Sequence, residues 1–256
     1  MKRISRIPLT SRPALLGAVV MLALTSASVA SADDGPGPLG VTADVVASVR
    51  EARVGALFGA DRAGRPAGSH FCTASVVHSP RGDLIATAAH CMTGVGGDLV
   101  FVPGYRDGRA PYGVWRVTRR FLPDSWARDQ DEDGDLAFAR VAGAHGRTVE
   151  QVVGGNRFVT GATTGATAVT VTGYPDSREV PIRCTNKPRR QSPTQQRIYC
   201  PSFTSGTSGS PWINGDHQVV GVLGGHEEGG STDDVSYSVV LGREAGELYR
   251  DATTAG

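Results

Sequence analysis

Between residues 54 and 141 the chain runs as short apolar stretches bounded by glycine, proline, aspartate or other polar residues: VGALF, FCTASVV, DLIATAA, DLVFV, VWRVTRRF and LAFARV. Val, Ile, Thr and aromatic residues dominate them, the composition of strands rather than helices. A glycine-containing break, AGAHGRTVEQVVGG, interrupts the pattern. The runs then resume as FVTG, ATAVTVTGY, VPIRC, RIYC, SPWI, QVVGVLG and SYSVV. About a dozen short strands at this spacing predict an all-β sandwich or barrels. The pattern divides into halves, residues 54–145 and 146–256, with a short closing helix expected in GREAGELYRDATT at the end of the second. Two barrels would place an active site in the cleft between them.

The N-terminus follows a different pattern. Lys2, Arg3, Arg6 and Arg12 precede an apolar run, PALLGAVVMLAL, and small residues follow around Ala30, Ser31 and Ala32. A basic start, a short apolar middle and an A-x-A exit predict a secretory signal peptide over residues 1–32, rather than a membrane anchor. Cleavage after Ala32 leaves 224 of the 256 residues, and no later apolar run is long enough to cross a membrane. Residues 33–53 begin as a linker, DDGPGPLG, and continue as VTADVVASVREAR, for which a short helix is expected. This segment is read as a short propeptide or an N-terminal arm.

Composition narrows the classes. A formal net charge of +1 implies no nucleic acid and no membrane surface as partner. The four cysteines of an exported chain suggest two disulfides, and spacing favours Cys72 with Cys91 and Cys184 with Cys200. No Cys-x-x-Cys or His-x-x-x-His pair supports a zinc site. The run Asp129–Gly134, D-x-D-x-D-G, resembles the start of a calcium loop. Its twelfth position is Arg140 and no flanking helices are evident, so no metal is expected.

Candidate chemistry centres on SFTSGTSGSPWIN, residues 202–214. A serine hydroxyl needs a base to take its proton, and the base needs an orienting partner. Of the serines there, Ser208 alone has a glycine two residues before it and another directly after. That arrangement lets the N–H groups of Gly206 and Ser208 face one oxyanion. Among six histidines (His70, His78, His90, His145, His217 and His226), His90 lies at the end of an apolar run beside a half-cystine. Asp135, immediately before LAFARV, is the carboxylate best placed for burial against it.

TAAHC around His90, D-L-A at Asp135 and GTSGSP around Ser208 together resemble the chymotrypsin-type serine proteases. His90 and Asp135 are 45 residues apart, and Asp135 and Ser208 are 73 apart, in the family's order. The order excludes the subtilisin and α/β-hydrolase arrangements. VTVTGYP at residues 169–175 is similar to the bacterial glutamyl endopeptidase branch. The resemblance covers about Val54 to Leu241. It implies two six-stranded antiparallel barrels, a His90–Asp135–Ser208 triad in their cleft, and cleavage of protein or peptide substrates through an acyl-enzyme. It implies no cofactor. A secreted, extracellular monomer is expected.

The sequence departs from the family at several positions. Thr207 stands where the digestive branch carries the aspartate that pairs with a new N-terminus. Ser202, six before Ser208, replaces the aspartate that selects Arg or Lys. Leu223 stands where glutamyl endopeptidases carry a histidine, which points to neutral substrates. Gly224 and Gly225 would offer a strand edge to substrate backbone. The alternatives are a non-catalytic binding protein on the same fold and a hydrolase of another ester or amide.

Overall fold

A computed structural model describes residues 39–64, 67–94, 96–143 and 146–255. The expected signal peptide, its cleavage site, the start of the linker and His145 lie outside the described residues.

Strand β1 (Val41–Asp44) precedes six strands that close into an antiparallel barrel. These are β2 (Val54–Gly59), β3 (Cys72–Val76), β4 (Leu84–Thr87), β5 (Leu99–Pro103), β6 (Trp115–Phe121) and β7 (Ala137–Val141), arranged in the order β2-β3-β4-β7-β6-β5. All six strands predicted over residues 54–141 are present. Five of them are buried on both faces, for a physical reason. The inner face of the barrel packs Leu57, Ile85, Phe101, Trp115 and Ala139 into one core. The outer face of β4 and β7 packs Leu84, Ala86 and Phe138 against Val219, Val222 and Leu248 of the second half. Only β6 keeps strand alternation, with Trp115 and Val117 inward and Arg116 outward, until a bulge between Val117 and Arg119 shifts its phase.

Two short helices follow parts of the barrel. Helix α1 (His90–Thr93) follows β4, and α2 (Asp124–Asp129) follows β6. The second was not expected, and it flanks the acidic run on one side. Helix α3 (Val149–Val153) occupies the stretch read as a break. Its start is fixed by a capping box: the Gln151 N–H donates to the Thr148 hydroxyl, and Gln151 Oε1 accepts from the Thr148 N–H.

The second half contains β8 (Arg157–Phe158), β9 (Val169–Gly173), β10 (Ile182–Asn186), β11 (Arg189–Arg190), β12 (Gln195–Tyr199), β13 (Pro211–Asn214), β14 (Gln218–Val222) and β15 (Val235–Val239). Helix α4 (Arg243–Thr254) closes the chain where a helix was predicted. The strands form a six-stranded sheet, β1-β10-β9-β13-β14-β8, and a three-stranded sheet, β11-β12-β15. Of the two six-stranded antiparallel barrels expected, the first is closed, and the strands of the second half are divided between these two sheets. Between β14 and β15 the ladder shrinks to one bridge, Leu223 with Ser238, and the Val222 N–H is met by the Ser238 hydroxyl instead of a strand carbonyl. Strand β8 also pairs parallel to β14.

The arm before the barrel differs from expectation as well. No helix forms over 41–53. Val41–Asp44 pairs antiparallel with Thr185–Ile182 along the edge of β10, and Glu51–Arg53 makes a single 3-10 turn. The open edge of β10 gives the β-branched start of this segment a ladder that an isolated helix could not match.

Candidate active site

His90 opens α1 one residue before Cys91, whose disulfide to Cys72 ties α1 to β3. The second disulfide, Cys184–Cys200, ties β10 to the end of β12. Both are the pairings that spacing favoured. Asp135 follows a 3-10 turn, Glu132–Gly134, and its side chain is fully buried. A buried carboxylate must be met by donors, and three meet it here. Oδ2 lies 2.8 Å from His90 Nδ1 and accepts the Gly225 N–H at 2.7 Å, and Oδ1 accepts the His90 backbone N–H at 3.0 Å. Because an ionised carboxylate only accepts, His90 Nδ1 carries the hydrogen and Nε2 is left as the free acceptor.

Ser208 sits on the loop before β13. Its carbonyl accepts the Thr73 N–H of β3 at 2.7 Å, and the next residue, Gly209, donates to the Leu223 carbonyl at 2.7 Å. The segment carrying Ser208 thus runs between β3 and the Leu223–Gly225 stretch that reaches Asp135. The Ser208 hydroxyl does not bond to His90. It donates to the Glu228 carbonyl at 3.4 Å. Glu228 belongs to a turn, His226–Gly229, in which both Glu227 and Glu228 have left-handed backbones. Glu132 anchors that turn, accepting the Glu227 N–H at 2.9 Å and lying 3.2 Å from His226 Nδ1. No signal in the sequence marks this contact.

The backbone of Gly206–Ser208 is held from behind. Across a trans peptide the C=O and N–H point in opposite directions. The Ser205 carbonyl accepts from the Asp176 N–H at 2.8 Å, so the Gly206 N–H faces away from Asp176. The Thr207 carbonyl accepts the Ser210 hydroxyl at 2.6 Å and the Ser210 N–H at 3.0 Å, so the Ser208 N–H is turned outward in the same way. Among the described residues neither N–H has an acceptor. Gly206 has φ +89°, and a Cβ there would lie 2.5 Å from the Asp176 nitrogen and 2.6 Å from the Tyr174 carbonyl oxygen. Only glycine fits. The Thr73 hydroxyl, 2.9 Å from the Tyr174 N–H and 3.0 Å from the Gly206 carbonyl oxygen, locks the same loop to β3.

The remaining candidates are placed as follows. Leu223 is buried in the second core with Phe203, Trp212 and the Cys184–Cys200 pair. Gly224 and Gly225 run past Asp135, and a side chain at Gly224 would meet its carboxylate. Ser202 is exposed in a left-handed turn at φ +70°, next to Phe203, whose N–H donates to the Asp233 carbonyl. Among the described residues, Cys72, Cys91 and His90 are the one group with metal-ligand atoms close together, and both sulfurs are committed to the disulfide.

Comparison with known proteins gives a consistent picture. Residues 68–222 match the model of the trypsin-like peptidase domain. A glutamyl endopeptidase of Bacillus licheniformis is 31% identical over 133 residues, covering 50% of this chain and 41% of that protein, so the match spans less than half of the relative's length. The crystal structure of protease Anisep from Arthrobacter nicotinovorans superposes with a TM-score of 0.71 at 25% identity, over 84% of this chain and all of that one. A thermostable serine protease, AL20, from an extremophilic microorganism gives 0.69 at 26% identity, over 82% of this chain and all of that one. With the matched model spanning more than half of the chain, this protein belongs to the trypsin-like peptidase domain family.

Proposed function

We propose that this protein is a secreted serine endopeptidase that works through an acyl-enzyme. The observation that carries the reading is the buried Asp135 carboxylate 2.8 Å from His90 Nδ1, which leaves His90 Nε2, without a partner among the described residues, to accept a proton. When the Ser208 hydroxyl leaves the Glu228 carbonyl, it turns to His90 Nε2. Ser208 Oγ then attacks the substrate carbonyl carbon as its proton passes to His90. The carbonyl oxygen becomes an oxyanion between the Gly206 and Ser208 N–H groups. His90 returns the proton to the leaving amine, the C–N bond breaks, and a water activated by the same nitrogen hydrolyses the acyl-enzyme. Asp135 holds the imidazole tautomer and stabilises its charged form throughout.

The substrates of this reading are proteins or peptides with neutral side chains at the cleavage position. Leu223 supplies no charge, and His226 is engaged by Glu132 rather than free to meet an acidic side chain. The pairing of Val41–Asp44 with β10 supports reading residues 33–53 as an N-terminal arm rather than a propeptide. One observation favours a second reading, a binding protein on the same fold: the Ser208 hydroxyl is engaged by Glu228. Digestion of an unfolded protein and of a peptide library, with Ser208→Ala as control, separates the two. Cleavage that is lost in the variant supports the endopeptidase. Cleavage unaffected by the variant, or none at all, removes it.

A further inference from the structure

His70 is a buried histidine that the proposed mechanism does not use. It lies just before β3, 3% exposed, inside a box of aromatic rings. Phe58, Tyr105 and Tyr174 surround it at centroid distances of 5.8, 5.5 and 6.1 Å. Its Nε2 lies 2.8 Å from the Pro175 carbonyl oxygen, while its buried Nδ1 has no partner among the described residues. A carbonyl can only accept, so Nε2 carries the hydrogen, and the imidazole makes one of the two hydrogen bonds open to its ring nitrogens. A leucine or phenylalanine would fill an aromatic box without leaving Nδ1 unsatisfied. The hydrogen bond to Pro175 is the one thing His70 adds.

That bond leads to the oxyanion site. The peptide that joins Pro175 to Asp176 carries a carbonyl that accepts from His70 Nε2 at 2.8 Å and from the Arg178 N–H at 3.0 Å, and an N–H that donates to the Ser205 carbonyl at 2.8 Å. The peptide that joins Ser205 to Gly206 carries that accepting carbonyl and the outward Gly206 N–H. Two peptide groups thus stand head to tail between the imidazole and the oxyanion donor. Each bond orients the next, and hydrogen-bonded dipoles in series polarise one another in the same sense. Gly206 also packs directly on the Tyr174–Asp176 backbone, where a Cβ would lie 2.5 Å from the Asp176 nitrogen.

We propose that His70 is a positioning residue for the oxyanion site: its Nε2–H, acting through the Pro175–Asp176 peptide, aims the Gly206 N–H. This rests on the endopeptidase reading for its catalytic consequence, but not for its structural one.

The test compares His70→Leu, which removes the side-chain donor and leaves the Arg178 N–H, with His70→Gln, whose amide N–H reaches a similar position. Hydrolysis is followed with a peptide chosen from the library, and inhibition with the matching peptidyl trifluoromethyl ketone, whose hemiketal with Ser208 carries an oxyanion. In His70→Leu kcat is expected to fall about tenfold, less than the 10²–10³ that follows loss of an oxyanion donor itself. KM should change less than about twofold, because the lost interaction belongs to the transition state. Ketone affinity should fall in parallel with kcat, and His70→Gln should restore most of both. Independently, the Gly206 amide resonance is read in a Ser208→Ala background, with and without His70→Leu. It should move in the double variant and return with His70→Gln. If His70→Leu does not fold, His70→Met takes its place in both measurements. A raised KM at constant kcat, unchanged ketone affinity or an unmoved Gly206 amide overturns the proposal. A wild type that cleaves nothing refutes the endopeptidase reading, and the Gly206 amide then judges the His70 link alone.

Discussion

Gly225 donates its backbone N–H to Asp135 Oδ2 at 2.7 Å, the same oxygen that faces His90 Nδ1 at 2.8 Å. One buried oxygen therefore joins the barrel segment carrying His90 to the second-half segment that runs past Ser208. Asp135→Asn puts an NH2 group either in the place of Oδ2, facing both the Gly225 N–H and the imidazole, or in the place of Oδ1, facing the His90 backbone N–H. With the NH2 group facing the imidazole, the ring adopts the wrong tautomer. Peptidase activity is expected to fall about 10⁴-fold, with the circular dichroism spectrum unchanged. An activity loss below tenfold in a folded variant contradicts the assigned role.

Gly206→Ala tests the cradle behind the oxyanion donors. The new Cβ meets the Asp176 nitrogen and the Tyr174 carbonyl, at a φ of +89°. The strain costs about 1–3 kcal/mol, and displacement of the donor lowers kcat about 10²–10³-fold. Urea unfolding and steady-state kinetics on the same preparation read both. Retained stability with retained kcat would show that the loop can shift without cost.

The turn over Ser208 is expected to slow access to it. Glu132 holds that turn through the Glu227 N–H and His226. Glu132→Ala should loosen it and raise the rate of Ser208 modification a few-fold, up to about tenfold, the scale of one hydrogen bond. The rate of fluorophosphonate labelling measures this. An unchanged or slower rate means that the turn does not gate the nucleophile.

Alkaline pH should destabilise the fold through Tyr174. Burial pushes its phenol well above the ordinary tyrosine value, with the Arg106 charge opposing in part. The unfolded chain ionises this group near about pH 10 while the folded chain keeps it protonated. Its contribution is therefore intact below about pH 10 and is lost as pH rises toward the folded value. The urea midpoint should fall between about pH 9 and pH 11 in the wild type, and fall less in Tyr174→Phe. Equal slopes in both proteins contradict this.

Breaking the Cys184–Cys200 bridge with paired serines frees a segment spanning 16 residues. The chain-entropy model gives a loss of about 3 kcal/mol. Chemical unfolding under non-reducing conditions checks it. A change under about 1 kcal/mol would mean that β10 and β12 hold together without it.

Much of this was legible in the sequence because the signals were local. The six runs from VGALF to LAFARV became the six barrel strands, and the cysteine spacing gave both pairings. His90, Asp135 and Ser208 could each be chosen from neighbouring residue types. What could not be read depends on distant partners. The VTADVV stretch looked helical until the β10 edge was available to it. The single bridge between Leu223 and Ser238, with the Ser238 hydroxyl meeting the Val222 N–H 16 residues away, has no local signal. Neither the Glu228 carbonyl over Ser208 nor the Pro175 carbonyl over His70 has any sequence signature, since both are backbone atoms placed by loops. The Thr148–Gln151 capping box was visible in the sequence, but the surrounding glycines masked it.

The most direct test of the central claim is labelling of the folded, disulfide-intact protein with a fluorophosphonate, with the modified residue located by mass spectrometry. The account predicts label on Ser208, lost in His90→Ala. A folded protein that takes no label, or one that labels equally without His90, would contradict it.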